Sequence, residues 1–381
     1  MDDSKLAYDQ SLAALTAAGS DFETITRSID GVDYTVYKNA PSSLQHVYTA
    51  ATAHGDKEFI VFEGERFTFN DFFRQAWALA DALSTRHGIV PGDRVGIAMR
   101  NYPEWLSAYV AITSMGAVAV PINSWGLAPE LLFAVRDSEC RSVFCDQQRF
   151  DLMAEGLAES NINAVVARPA PDNTLQPGQS LHEFIAGSEN ATAPGVDIDS
   201  EDIAMIMYTS GTTGKPKGAV STHRALCQAL MNFDCTAIAS AMANPELIGA
   251  MLSKGFEPAQ MLAVPLFHVS GLHAVFLTAL RGGRKIVMMY KWDAVKALQL
   301  IEQERITVLS VAPSMMLQVL ESPEFDDYDT SSLSSLGAGG SATPAKVSAL
   351  MREKVSNMYG GTGWGLTETN SIGTAFTGKA F

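Results

Sequence analysis

Short apolar runs alternate with stretches whose apolar residues recur at helical spacing, and this rhythm holds through most of the chain. The opening thirty-odd residues are polar and mixed, and predict an N-terminal helix and a strand. At Phe67 the pattern becomes regular. Thr68 and Asp71 stand three apart like the two ends of a capping box. Behind them Phe72, Ala76, Leu79 and Leu83 recur at the helical period. Pro91-Gly92-Asp93 predicts a turn, Arg94 to Met99 a strand, Pro103 to Met115 a helix and Ala117 to Val120 a strand. Ala128-Pro129-Glu130 opens a further helix, with proline in its first turn. Strands follow at Ser142–Cys145 and Ala164–Ala167, around a helix at Asp151–Glu159. Apolar strands alternating with helices imply a parallel sheet covered on both faces.

The rhythm then breaks. Residues 168–180 are rich in Pro, Gly, Asn and Gln, and 187–202 are polar and acidic, which reads as a linker holding one short helix at Leu181–Ala186. Alternation resumes with strands expected at Ile203–Tyr208, Met261–Val264, Lys285–Tyr290, Ile306–Val311, Leu333–Leu336 and Val355–Met358. Helices are expected at His223–Ser240, Leu272–Leu280, Ala294–Glu304, Pro313–Leu320 and Pro344–Lys354. The division expected is an N-terminal extension with first strands (1–66), a first α/β subdomain (67–186) and a second (187–381). In doubly wound sheets ligands bind beyond the carboxyl ends of the strands.

Charge narrows the partners. Lys and Arg number 27 against 42 Asp and Glu, a formal net charge of −15. That acidity argues against nucleic acid and against an anionic membrane surface. It leaves room for a phosphate ligand, which local backbone N–H groups and one or two lysines can hold. The cysteines, Cys140, Cys145, Cys227 and Cys235, form no C-x-x-C pair and have no histidines at zinc spacing, so reduced buried thiols in a cytoplasmic protein are expected. The acidic N-terminus carries no signal-peptide pattern. The longest charge-free stretch, Trp105 to Pro129, contains Pro121 and Asn123, and reads as a buried helix, a strand and a loop rather than a membrane span.

The strongest chemical signal is Tyr208-Thr-Ser-Gly-Thr-Thr-Gly-Lys-Pro-Lys-Gly218, directly after an expected strand. Gly211 and Gly214 allow close backbone approach. Thr209, Ser210, Thr212 and Thr213 supply hydroxyls, and Lys215 and Lys217 supply charge. Such a loop suits a polyphosphate. A Walker A loop has four residues between its glycines and Ser or Thr after its lysine; here two residues separate Gly211 from Gly214, and Pro216 follows Lys215.

This loop resembles the signature loop of the acyl-adenylate-forming enzymes: acyl-CoA synthetases, peptide-synthetase adenylation domains and luciferases. Three further segments resemble motifs of that family, in order: Val264-Pro-Leu-Phe-His268-Val-Ser-Gly271, Gly337-Ala-Gly-Gly-Ser-Ala-Thr-Pro344 and Gly363-Trp-Gly-Leu-Thr-Glu-Thr369. Residues 91–97 and 117–123 resemble its first subdomain. The fold implied is α/β, two doubly wound parallel-sheet subdomains of an adenylate-forming enzyme's N-terminal domain. The family's β-barrel subdomain and C-terminal domain, with a ribose-binding Asp and a catalytic Lys, are missing from these residues, so full turnover is not expected of them alone.

The resemblance implies roles. Thr209, Ser210, Gly211, Thr212, Thr213, Gly214 and Lys217 would hold the β- and γ-phosphates of ATP. Thr367 would contact the α-phosphate and Glu368 would coordinate Mg²⁺, a hard cation that prefers oxygen. Gly340, Ser341, Trp364 and Gly365 would surround adenine. The family usually has Tyr at the Trp364 position; the indole keeps a stacking face and lacks the phenol. His268 would stand near the carboxylate and the acyl pocket, positioning substrate in preference to acting as a base, with a structural role the alternative. His223 is expected to cap a helix and carries no assigned chemistry.

Val269, Leu272, Val275, Phe276, Val311, Met315 and Ala338 are apolar or small candidates for the acyl pocket. No buried Asp stands out in the sequence as a counter-charge for an amino acid's ammonium, Asp234 being the nearest candidate. A fatty or aromatic acid is therefore expected, activated with ATP and Mg²⁺ and passed to coenzyme A. The alternatives are an adenylation module that loads a carrier protein, and a non-catalytic nucleotide- or acyl-binding fragment. Partners are expected to be small molecules, with the oligomeric state open and a homodimer one option.

Overall fold

A computed structural model describes residues 3–171, 174–209, 211, 216–355 and 359–378. It divides into two compact units, one of 42–226 with 265–272, the other of 1–41 with 227–264 and 273–381. Helix α1 (Asp3–Leu15) leads into a hairpin, β1 (Thr24–Ile29) and β2 (Val32–Tyr37). Then come α2 (Leu44–Ala51) and a second hairpin, β3 (Glu58–Phe62) and β4 (Glu65–Thr68). The alternating part begins with α3 (Phe69–His87), β5 (Arg94–Ala98), α4 (Pro103–Ser114) and β6 (Val118–Pro121). It continues with α5 (Ala128–Asp137), β7 (Cys140–Asp146), α6 (Gln147–Glu159) and β8 (Asn163–Ala167). Next are β9 (Gly178–Ser180), α7 (Leu181–Ile185), β10 (Ile203–Thr209) and β11 (Lys217–Thr222).

These strands form a seven-stranded sheet in the order β11-β10-β6-β5-β7-β8-β9, parallel except for β11. Both faces are covered. Val143 and Cys145 on β7 share a buried cluster with Leu131 and Val135 of α5 and Phe150, Met153 and Leu157 of α6. Phe144, pointing the other way from the same strand, meets Phe184 of α7 edge-on at 6.1 Å. The capping box expected at Thr68 is formed: the Thr68 side chain accepts from the Asp71 N–H, and the Asp71 carboxylate accepts from the Thr68 N–H.

In the other unit, α8 (His223–Ala243) and α9 (Pro245–Ser253) precede β12 (Ala259–Leu262). Beyond α10 (Val269–Gly271), which belongs to the first unit, residues Leu272–Leu277 form a π-helical turn that runs into α11 (Thr278–Arg281). The remainder is β13 (Lys285–Met288), α12 (Ala294–Glu304), β14 (Val308–Val311), α13 (Pro313–Leu320), β15 (Ser335–Gly339), α14 (Ala345–Lys354), β16 (Tyr359–Gly365) and β17 (Gly373–Thr377). The strand order here is β17-β16-β15-β14-β12-β13. Every neighbouring pair is parallel except the β16–β17 hairpin.

The expected boundary at residue 187 is displaced. Strand β10 pairs with β6, and β11 with β10, so residues 203–222 belong to the seven-stranded sheet, in the unit that contains 42–226. The stretch read as linker contains β9, which extends that sheet beside β8. The strand expected at Val355–Met358 is not seen at Val355, and its other residues lie outside the described ones; the strand runs instead through the glycine-rich 359–365. There the backbone is held by parallel pairing to β15 and antiparallel pairing to β17, which compensates for poor intrinsic strand propensity. The stretch of 105–129 is α4, β6 and a loop, and among the described residues no helix is long and apolar enough to cross a membrane.

Candidate functional site

The glycine- and hydroxyl-rich loop joins β10 to β11. Thr209 and Lys217 are register partners where the two strands part, so they form the base of the loop. Ser210, Thr212, Thr213 and Gly214, together with Lys215, lie outside the described residues. Gly211 has φ +59°, a left-handed conformation that suits glycine. Lys217 is exposed. The strand entering the loop is anchored from the side: the Tyr208 hydroxyl donates to Asp137 Oδ2 at 2.6 Å, and the Tyr208 ring meets Phe133 edge-on at 6.2 Å. Burial and the neighbouring Asp137 carboxylate both push the Tyr208 phenol up, so it stays a donor. The sequence offers a signal for this anchor only in that Tyr208 opens the motif.

The segment 265–272 belongs to the same unit and lies at the carboxyl ends of β5 and β6. Leu266 donates its N–H to Asn101 Oδ1 at 3.1 Å, just beyond β5. Phe267 meets Trp125, beyond β6, edge-on at 5.4 Å. His268 caps the three-residue α10; its carbonyl accepts from Gly271 and Leu272 while its side chain is exposed. Partial desolvation, against Phe267 at 4.5 Å, pushes the imidazole below its ordinary value, so it is neutral at pH 7.

In the other unit, two strand ends come together. β15 and β16 run parallel with Gly339 opposite Gly363. The loop that leaves β15, carrying Gly340 and Ser341, therefore starts beside the strand end carrying Trp364 and Gly365. Gly340 has φ +82° and both it and Ser341 are exposed. The Thr343 and Thr362 hydroxyls bond at 2.9 Å and tie loop to strand. Trp364 is 61% exposed, which rules out core packing for its indole. Thr367 and Glu368 occupy the turn between β16 and β17. That turn is closed by its own backbone: Asn370 N–H donates to Thr367 O at 3.0 Å, and Ser371 N–H to Leu366 O at 2.9 Å. Among the described residues, neither the Thr367 hydroxyl nor the Glu368 carboxylate has a hydrogen-bond partner.

The donor set bears on a metal. Among the described residues, no three His, Cys, Asp or Glu gather into a metal-binding group. An exposed lone carboxylate fits Mg²⁺ when the remaining ligands are phosphate oxygens and water, the usual arrangement for that ion.

Two histidines are structural. His223 starts α8 fully buried, and its Nδ1 accepts from the Leu44 N–H at 3.2 Å; burial pushes it down to about 4. His273, on the π-helical turn, is likewise buried and pushed down to about 4. Asp234 forms an ion pair with Arg281 at 2.9 Å, so its charge already has a partner. Leu272, Val275, Phe276, Val311 and Ala338 are buried, while Val269 and Met315 are half-buried.

The AMP-binding enzyme family matches residues 47–380. The chain is 29% identical over 322 residues to 4-coumarate-CoA ligase 1 of Petroselinum crispum, covering 84% of this chain and 56% of that protein. It is 30% identical over 312 residues to the long-chain-fatty-acid-CoA ligase FadD13 of Mycobacterium tuberculosis, covering 81% and 56%. The chain thus spans about half the length of these curated relatives. The inhibitor-bound N-terminal domain of FACL13 from Mycobacterium tuberculosis superposes with a TM-score of 0.70 at 26% identity, covering 88% of this chain and 78% of that one.

Proposed function

We propose that this chain, which belongs to the AMP-binding enzyme family, carries the nucleotide and acid sites of an enzyme that activates an apolar carboxylic acid. The acid, fatty or aromatic, would be converted to its acyl adenylate and then passed to coenzyme A. The observation that carries this reading is the Gly339–Gly363 register, by which the Gly340-Ser341 loop starts beside the strand end that carries the exposed Trp364. Stacking on an aromatic face and approach to a glycine-rich backbone are what adenine binding asks for.

In the reaction, a carboxylate oxygen attacks the α-phosphorus of ATP, a P–O bond forms, and the bond to the β,γ-unit breaks to release pyrophosphate. The thiol of coenzyme A then displaces AMP from the acyl carbon. Thr209, Gly211 and Lys217, with the intervening loop, would hold the leaving phosphates through N–H groups, hydroxyls and one cation. Thr367 would donate to the α-phosphate. Glu368 would hold Mg²⁺, which when bound neutralises phosphate charge. Neutral His268 would orient the carboxylate by hydrogen bonding, leaving it ionised as the nucleophile.

Two relatives point to the acid class by name, one a 4-coumarate ligase and one a long-chain fatty-acid ligase. The Asp234–Arg281 pair argues against an amino acid, since its carboxylate is already matched. The four free buried thiols fit a cytoplasmic setting.

The test is titration calorimetry with AMP and non-hydrolysable dodecanoyl, cinnamoyl and phenylalanyl sulfamoyl-adenosines. Dodecanoyl or cinnamoyl mimics should bind more tightly than AMP. Preference for the phenylalanyl mimic would move the assignment to a carrier-loading module, and no binding of any mimic would remove the adenylation reading.

A further inference from the structure

At the carboxyl end of the seven-stranded sheet, Asp146 and Arg149 form a buried ion pair with 6% and 2% of their side chains exposed. Arg149 Nη1 donates to Asp146 Oδ1 and Oδ2 at 3.0 and 3.2 Å. A buried pair of this kind seldom adds net stability over apolar residues of the same volume, because desolving both charges offsets their attraction. Its geometry is the informative part. Asp146, the last residue of β7, also accepts the N–H of Arg100 beyond β5 (2.9 Å) and that of Arg149 in the first turn of α6 (3.0 Å). Arg149 Nε donates to the carbonyl of Ser124 beyond β6 at 2.7 Å, and Nη1 donates to Gln148 Oε1 at 2.9 Å. One side-chain pair therefore fixes the loops that leave three adjacent parallel strands.

Those loops hold the His268 segment. Asn101, next to Arg100, takes the Leu266 N–H; Trp125, next to Ser124, takes the edge of Phe267; and the Arg100 guanidinium lies 5.6 Å from the Trp125 ring centroid. We propose that Asp146 and Arg149 are positioning residues for the 265–272 segment, acting through the Arg100-Asn101 and Ser124-Trp125 loops to set His268. The role of His268 rests on the acid-activation reading above; the mechanical link to Leu266 does not.

Two readouts separate these. Hydrogen exchange reports the Leu266 amide directly. Calorimetry with AMP and dodecanoyl sulfamoyl-adenosine reports the affinity contributed by the acyl side. Arg149→Lys keeps the charge and loses the fork that reaches Ser124. It should speed Leu266 exchange and cut the acyl contribution about tenfold while AMP affinity holds. In an Asn101→Ala/Trp125→Ala background, Arg149→Lys should remove nothing further, because its route to the segment is already cut. If Arg149→Lys does not fold, Asn101→Ala, which removes the acceptor of the Leu266 N–H, must give the same two changes. A lowered melting point with unchanged Leu266 exchange and unchanged acyl contribution overturns the positioning role. A wild-type protein that gains nothing from the acyl group overturns the role of His268, even where the Leu266 link holds.

Discussion

Gly365 and Gly373 face each other where β16 and β17 part, and neither position has room for a side chain. A Cβ on Gly365 would sit 2.3 Å from the Ser371 carbonyl oxygen, and one on Gly373 would sit 2.0 Å from that of Trp364. The obstacles are backbone atoms, which cannot rotate away. The turn they close carries Thr367 and Glu368. Gly373→Ala should therefore destabilise the protein by about 1–3 kcal/mol, the range for overpacking. Because Gly373 lies outside the motif that ends at Thr369, weaker AMP binding in this variant would be transmitted by the turn. Urea unfolding and calorimetry give the two numbers; an alanine accepted without loss in either would mean the hairpin opens freely.

Trp364 separates stacking from packing. With its indole largely in solvent, Trp364→Ala should leave the melting point within about a degree or two, as surface substitutions do. It should weaken AMP by about 1–3 kcal/mol, the worth of a stacked base. Trp364→Tyr should retain most of that affinity. Equal affinities in wild type and alanine variant would take Trp364 out of the adenine site.

His223 makes stability depend on pH. It is pushed down to about 4 in the folded chain, against an ordinary 6.5, so the unfolded chain binds the proton first. Stability is then fully present above about pH 6.5 and falls as pH drops toward 4, by up to about 3 kcal/mol. His223→Gln keeps an acceptor for the Leu44 N–H and cannot titrate. Between pH 7 and 5, above the range where most carboxylates titrate, its urea midpoint should fall less steeply than that of wild type. Parallel slopes would show that His223 is protonated equally in both states.

Much of the fold is legible in the sequence because its helices are amphipathic and its central strands are apolar. The Thr68–Asp71 box and the Ala294–Glu304 and Pro313–Leu320 helices are examples. Strands held by their neighbours are the ones that escape. Lys217–Thr222 has no apolar run and is a strand through antiparallel pairing to β10; Tyr359–Gly365 is mostly glycine and is a strand through pairing on both sides. The sequence names the motif residues, yet it gives no sign of what steadies them. Arg149 falls before the helix expected at Asp151–Glu159 and draws no notice in the sequence, and its burial becomes visible only when the ends of β5, β6 and β7 meet. Gln228 likewise looks like a helix surface residue, but it pairs with both the N–H and the carbonyl of Tyr37, at 2.7 and 2.9 Å, and so fastens the N-terminal hairpin to α8.

The central claim is that adenine binds at the paired ends of β15 and β16. Photolabelling with 8-azido-AMP, followed by peptide mass spectrometry, tests it most directly. The label should fall within 337–344 or 359–369, be competed by AMP, and be lost from the second peptide in Trp364→Ala. Competable label confined to other peptides would contradict the account.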